Sequence, residues 1–414
     1  MHPSTRWVAA APDFSPSPAA RVLDTSRRVC FQGPPYHRLS PVLAVMLHNG
    51  KIYTSDPRQT AWAKRLCSKL RTLKEAVDAM PHPPPNVAFA INPHDNCHLP
   101  ESWPKGTAIT TLAYGIGPKE CRTTAALPWI PNYHSTWWRD SAPPNSTRRF
   151  QKLERLYPWH TKRPTAVWRG SPTDGSQLPY RAGGMSDRMI STLPAAWKAG
   201  IAARARAVLL SMIFPEQLDL KFAATVRLNL SHVPSSSESA PSEPSTLVIT
   251  GGKHHGLPFE AQFRHKYIID IAGNGYSARP TSLLLGNSLV ILQRRYRYWW
   301  SRTFDNVTVS VDPSLDTLAA VVRQLQAIDG DVQRRVQGMQ DLVAGGALSP
   351  AALLHQWHML FRWLAEGGAA APDEQRPPSH MRPLAEWLAA GVCTRRGWRQ
   401  RNANSDCALF LDAS

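Results

Sequence analysis

The chain is 414 residues long, carries a formal charge of +18, and contains 37 prolines and 15 tryptophans within an otherwise ordinary apolar composition. That length accommodates two or three domains burying most of their unfolded surface, and no apolar run is long enough to span a bilayer. The charge comes from scattered arginines without a Lys/Arg block or nucleic-acid-binding motif, so it attracts polyanions, nucleotide-sugars, acidic glycans or membrane surfaces without marking a DNA or RNA reader.

Residues 1–40 are rich in Pro, Ser and Arg and are expected to be disordered or extended. They contain no signal-peptide core, so either the protein is not secreted or the chain lacks its true N-terminus. From Pro41 to Lys51 the pattern predicts a strand ending in an Asn49-Gly50 turn. Trp62, Leu66, Leu70, Leu73 and Val77 recur at helical spacing between Thr60 and Met80. A buried strand follows at Asn86–Asn92 and another at Ala108–Tyr114. Trp129–Trp138 forms an aromatic loop whose tryptophans suit either a core or stacking on a ligand. Pro164–Trp168 is a strand running into Arg169-Gly170-Ser171.

The stretch between Gly183 and Ser245 is expected to hold inserts, with a low-complexity segment at 235–245. Leu315–Ala327, Val332–Val343 and Pro350–Glu366 predict amphipathic helices. Between the first two, Asp329-Gly330-Asp331 imitates a metal-binding DxD, but aspartates and glycine also suit a cap and turn there. His355 and His358 share a helix face without a visible third ligand. Six widely spaced cysteines without a CxxC pair suggest neither zinc nor redox chemistry and permit disulfides. Sequons at Asn145, Asn229 and Asn306 are compatible with a secretory lumen.

The densest local chemistry lies in Phe263–Gln293: an apolar strand (Tyr267–Ala272), a small-residue turn (Gly273–Ser277), a short helix and a second strand (Ser288–Gln293). Such a turn lets an anion approach the backbone closely, and unpaired N–H groups at a helix start can receive it. Ser277 is suited to cap the helix, Pro280 to its first turn, and Arg279 to grip a phosphate.

Taken in order, several segments resemble the protein O-glucosyltransferase (Rumi-like) family, related to fungal capsule xylosyltransferases. They are Lys266-Tyr267, Gly273-Asn-Gly-Tyr-Ser-Ala-Arg279, Gly286-Asn-Ser-Leu-Val290, Val167-Trp-Arg-Gly-Ser171 and the strand end Ile91–Asp95. The similarity spans roughly residues 40–366. It implies an α/β, GT-B-like fold in which two Rossmann-like domains face each other across a cleft. The corresponding divisions are an acceptor domain at 41–163, a UDP-sugar domain at 164–345, and C-terminal helices with a tail at 346–414.

The resemblance further implies an inverting glycosyltransferase that moves glucose or xylose from a UDP-sugar to a protein or glycan hydroxyl. No metal or other cofactor is expected. Asp95 matches the catalytic base, although its Asn-Pro-His-Asp-Asn setting also favours a plain turn. Ser171, Arg181, Asn274, Gly275, Tyr276, Ser277 and Arg279 match the UDP-binding positions. Ser171 is equally suited to cap a helix. The implied location is the endoplasmic reticulum or Golgi lumen. This chain departs from the family at Phe263, where a cysteine is common, at Pro280, which replaces a large apolar residue, and at Tyr298, near an often acidic position.

Two other readings are open. Ile268–Gly275 resembles the methyl-donor loop of class I methyltransferases, although the next strand ends in Gln293-Arg294-Arg295 where an acidic residue is usual. The same fold could also serve as a catalytically inactive, basic polyanion-binding protein.

Overall fold

A computed structural model describes residues 43–57, 63–91, 111–113, 124–126, 141, 143–171, 203–223, 226–229, 246–249, 257–273, 277, 279–366, 377 and 381–390. The segment 1–40, Asp95, the Trp129–Trp138 loop, Arg181, Asn274, Gly275, Tyr276 and the insert at 235–245 lie outside the described residues.

In chain order the strands are β1 (Leu43–His48), β2 (Lys51–Thr54), β3 (Val87–Ile91), β4 (Thr111–Ala113), β5 (Thr124–Ala126), β6 (Arg163–Gly170) and β7 (Leu218–Phe222). They continue as β8 (Val226–Asn229), β9 (Thr246–Ile249), β10 (His265–Asp270), β11 (Leu289–Gln293), β12 (Val309–Val311) and β13 (Arg382–Pro383). The α-helices begin with α1 (Ala63–Asp78), α2 (Asn145–Leu156), α3 (Ala203–Ile213), α4 (Pro280–Leu283) and α5 (Ser301–Phe304). Those that follow are α6 (Leu318–Ala327), α7 (Asp329–Ala344), α8 (Pro350–Leu364) and α9 (Leu384–Ala389). None is long and apolar enough to cross a membrane, among the described residues.

The fold is mixed α/β, and the chain divides into two compact units. The first comprises Met1–Tyr133, Arg297–Arg302 and Pro350–Ser414. Its six-stranded sheet has the order β13-β2-β1-β3-β4-β5. The sheet is mixed rather than all-parallel: β13, β2, β1 and β3 pair antiparallel, and β3, β4 and β5 pair parallel. The cause is local. Asn49 and Gly50 both take positive φ, 49° and 71°, which is the two-residue turn that folds a strand back on itself. The Asn49 N–H also donates to Asn86 Oδ1 at 2.8 Å. Leu66, Leu70, Leu73 and Val77 of α1 are buried, as the helical spacing predicts. From α8, Phe361 packs beside Phe89 with ring centroids 6.5 Å apart.

The second unit comprises His134–Tyr296 and Thr303–Ser349. Its five-stranded sheet, ordered β12-β11-β10-β6-β7, is parallel at every pairing. Strands covered on both faces read as continuous apolar runs. Tyr267–Ile269 and Leu289–Ile291 accordingly are fully buried. The region expected to hold inserts after Gly183 contains α3 and β7, and β7 forms one edge of this sheet. The β8–β9 hairpin forms a separate two-stranded sheet flanking the low-complexity segment.

Candidate functional site at the carboxyl ends of β6 and β10

Chain order and spatial order diverge at one point in the parallel sheet. β6 leads to β7 on one side, whereas β10 lies on the other side of β6. In open parallel sheets, ligands bind outside the carboxyl ends of the strands where the order reverses. At this point Ser171 follows β6, and Ile271-Ala272-Gly273 follows β10. Ser171 is exposed, whereas Gly273 and Ser277 are buried.

Asp270 closes β10 and is only 4% exposed. One carboxylate oxygen accepts from Ser277 Oγ at 2.7 Å, and the Arg279 N–H donates to the same hydroxyl at 3.3 Å. Burial pushes the Asp270 carboxyl above the usual carboxylate range, while Arg279, the Ser277 hydroxyl and Arg204 oppose that shift. Burial likewise lowers the Arg279 guanidinium, and Asp270 partly restores it. An arginine starts from so high a pKa that it remains charged.

Arg279 is held on two sides. Its guanidinium donates to Gln262 Oε1 at 2.8 Å and to the Arg169 carbonyl at 3.2 Å. It therefore spans from the β10 loop to the end of β6. Ser277 does not act as the helix cap: Arg279 is the cap residue of α4, and no side chain caps it. Pro280 does occupy the first turn, where its missing N–H has no cost. With only four residues, α4 sums few peptide dipoles, so charge at the site comes from side chains rather than a helix end.

Arg204, which sequence reasoning missed, joins the two loops. Its Nη1 donates to the Ser171 carbonyl at 2.7 Å, Nη2 to Ile271 at 2.9 Å, and Nε to Ala272 at 3.1 Å. The guanidinium lies over the Trp168 ring, 5.4 Å from its centroid. Gly170 is packed closely at this end of β6, because a Cβ there would meet Trp168 at 2.3 Å. Arg169 is bound separately: it donates to the Asp219 carbonyl and, at 2.8 Å, to Asp219 Oδ2. Burial alone would raise the Asp219 carboxyl, but Arg169 and Lys221 hold it below its ordinary value. Arg169 is matched by Asp219, while Arg204 and Arg279 both act electrostatically on the buried carboxylate of Asp270.

Other parts of the motif serve the amino ends of the strands. Lys162 is 5% exposed, and its Nζ donates to the carbonyls of Phe263 and Asn287, to Asn287 Oδ1 and to Ser288 Oγ, at 2.6–2.9 Å. Burial lowers this lysine to about 7, against the pull of Glu154. Gly286 is required by contact, because a Cβ there would lie 1.8 Å from the Phe263 ring. Phe263 thus fills a packed position. Lys266 holds Asp329 at 2.7 Å, and Trp159 Nε1 donates to the same carboxylate at 3.2 Å, so Asp329 serves packing rather than a DxD metal site. Asp331 pairs with Arg334. Among the described residues, no three or more His, Cys, Asp and Glu side chains gather as a metal site. Tyr298 stacks on Trp300 at 4.9 Å.

No protein-family model matches this chain, and no curated protein matches it.

Proposed function

We propose that the chain is an inverting, metal-independent glycosyltransferase that uses a UDP-sugar and acts on a hydroxyl of a protein or glycan. The observation that carries this reading is the convergence, where the parallel strand order reverses, of Ser171, Gly273 and two arginines that act on one buried carboxylate. In the proposal a GT-B-like arrangement brings Asp95 to the acceptor hydroxyl as general base. A positioned carboxylate contributes about 10²–10⁴-fold to such a step. As the acceptor oxygen attacks the anomeric carbon, its proton passes to Asp95 and the bond to UDP breaks. The pyrophosphate gains negative charge, which Arg279, Arg181 and the backbone of Asn274, Gly275, Tyr276 and Ser277 receive.

A secretory lumen is part of the proposal: Cys67 is disulfide-bonded, and Asn306 of its sequon is exposed. The methyltransferase alternative is less well supported. Gln293 ends β11 and is itself engaged, accepting from the Ala272 N–H at 3.0 Å and donating to the Pro313 carbonyl at 2.7 Å. Release of UDP from UDP-glucose or UDP-xylose in EDTA tests the reading. Turnover is expected in the wild type and should fall at least about 10²-fold in Asp95→Asn, with UDP affinity retained. Equal turnover in both proteins would remove Asp95 as the base.

A further inference from the structure

Arg204 lies on α3, far in sequence from both loops, yet each of its three donor nitrogens is directed at a strand-end carbonyl. One partner belongs to the end of β6 and two to the end of β10. These are the loops bordering the place where strand order reverses. The guanidinium is 8% exposed as part of its residue, and Trp168 supports its face. A trans peptide points its C=O and N–H in opposite directions. Drawing the Ile271 carbonyl toward Arg204 sends the Ala272 N–H the other way, where Gln293 Oε1 accepts it at 3.0 Å. The Ala272 carbonyl, also held by Arg204, fixes the Gly273 N–H in the same manner at the first residue of the glycine turn. Asp270, the residue before this pair, adds a charge that interacts with both Arg204 and Arg279.

We propose that Arg204 is the positioning residue of this site, setting the separation of the β6 and β10 loops so that Ser171, the Gly273 backbone and Arg279 together accept the pyrophosphate of a nucleoside diphosphate. This rests on the UDP-sugar reading and identifies the residue that assembles its phosphate site. Arg204 itself does not touch the ligand. A lysine cannot replace it, because one ammonium on a flexible stem does not reproduce a planar fork aimed at three carbonyls.

The test compares UDP and uridine binding by calorimetry, together with thermal unfolding, in wild type, Arg204→Lys, Arg204→Met and Arg279→Ala. Wild type should bind UDP, and Arg279→Ala should bind it roughly a hundredfold more weakly. Both Arg204 variants should weaken UDP by at least about tenfold, the scale of hydrogen bonds to a charged group, while uridine affinity stays unchanged. A purely structural role would lower UDP and uridine affinity equally, in step with the unfolding temperature, and would overturn the proposal. Wild-type UDP affinity in the Arg204 variants would also overturn it, leaving the UDP-sugar reading intact. Absence of UDP binding in folded wild type would instead remove that reading and this inference with it. Should Arg204→Met fail to fold, Arg204→Lys decides, because it keeps both charge and stem over Trp168.

Discussion

His265 illustrates how single residues set the acid limit of the second unit. It is 3% exposed, its Nδ1 is 2.8 Å from Thr165 Oγ1, and its Nε2 is 3.9 Å from Asp219. Burial lowers its pKa to about 4; Asp219 opposes this shift, while Arg163, Arg169 and Lys162 reinforce it. Between pH 6.5 and about 4 the unfolded chain therefore binds the proton that the folded chain refuses. Stability is present above that window and lost as pH falls through it, by up to about 3 kcal/mol. Urea unfolding across the window should show His265→Gln losing less stability than wild type. Parallel profiles would contradict the assignment. Asp270 and Arg204 were not legible in the sequence for a related reason. A buried charge is recognised by its partners, and those of Arg204 lie 33, 67 and 68 positions away.

At the scale of elements, legibility followed the range of the determining interaction. The turn that ends β1 was readable because Asn49 and Gly50 themselves supply the two positive φ angles it demands. Gly50→Ala should destabilise the first unit by about 1–2 kcal/mol, since φ near +71° strains any Cβ. Chemical denaturation measures this, and an unchanged midpoint would show that the turn is not held in that form. Helices α1, α6, α7 and α8 were readable from an apolar stripe against polar faces. Helix α3 has no such stripe: Arg204, Ala205, Ala207, Val208, Leu209, Leu210 and Ser211 are all buried. The short helix α4 after β10 was legible from Pro280, which suits only a first turn, while most of the Gly273–Ser277 turn lies outside the described residues. Ser277 looked like a cap until its partner proved to be Asp270, seven residues earlier.

For the whole molecule, the parallel sheet gives the site its place. Ser171 and Gly273 are about a hundred residues apart and come together only because β10 pairs with β6 rather than extending beyond β7. The sequence motifs divide between the two ends of that sheet. Lys266, Gly286, Asn287 and Ser288 fasten the amino ends, while Ser171, Gly273, Ser277 and Arg279 gather at the carboxyl ends. In the proposed function these carboxyl ends bind the pyrophosphate of UDP without a metal. Calorimetric titration of UDP into wild type and Arg279→Ala, in EDTA at physiological salt, tests it most directly. Micromolar-scale binding in wild type, weakened by about 3 kcal/mol in the variant, is expected for loss of one preorganised charged donor. A well-folded wild type that takes up no UDP would contradict the claim.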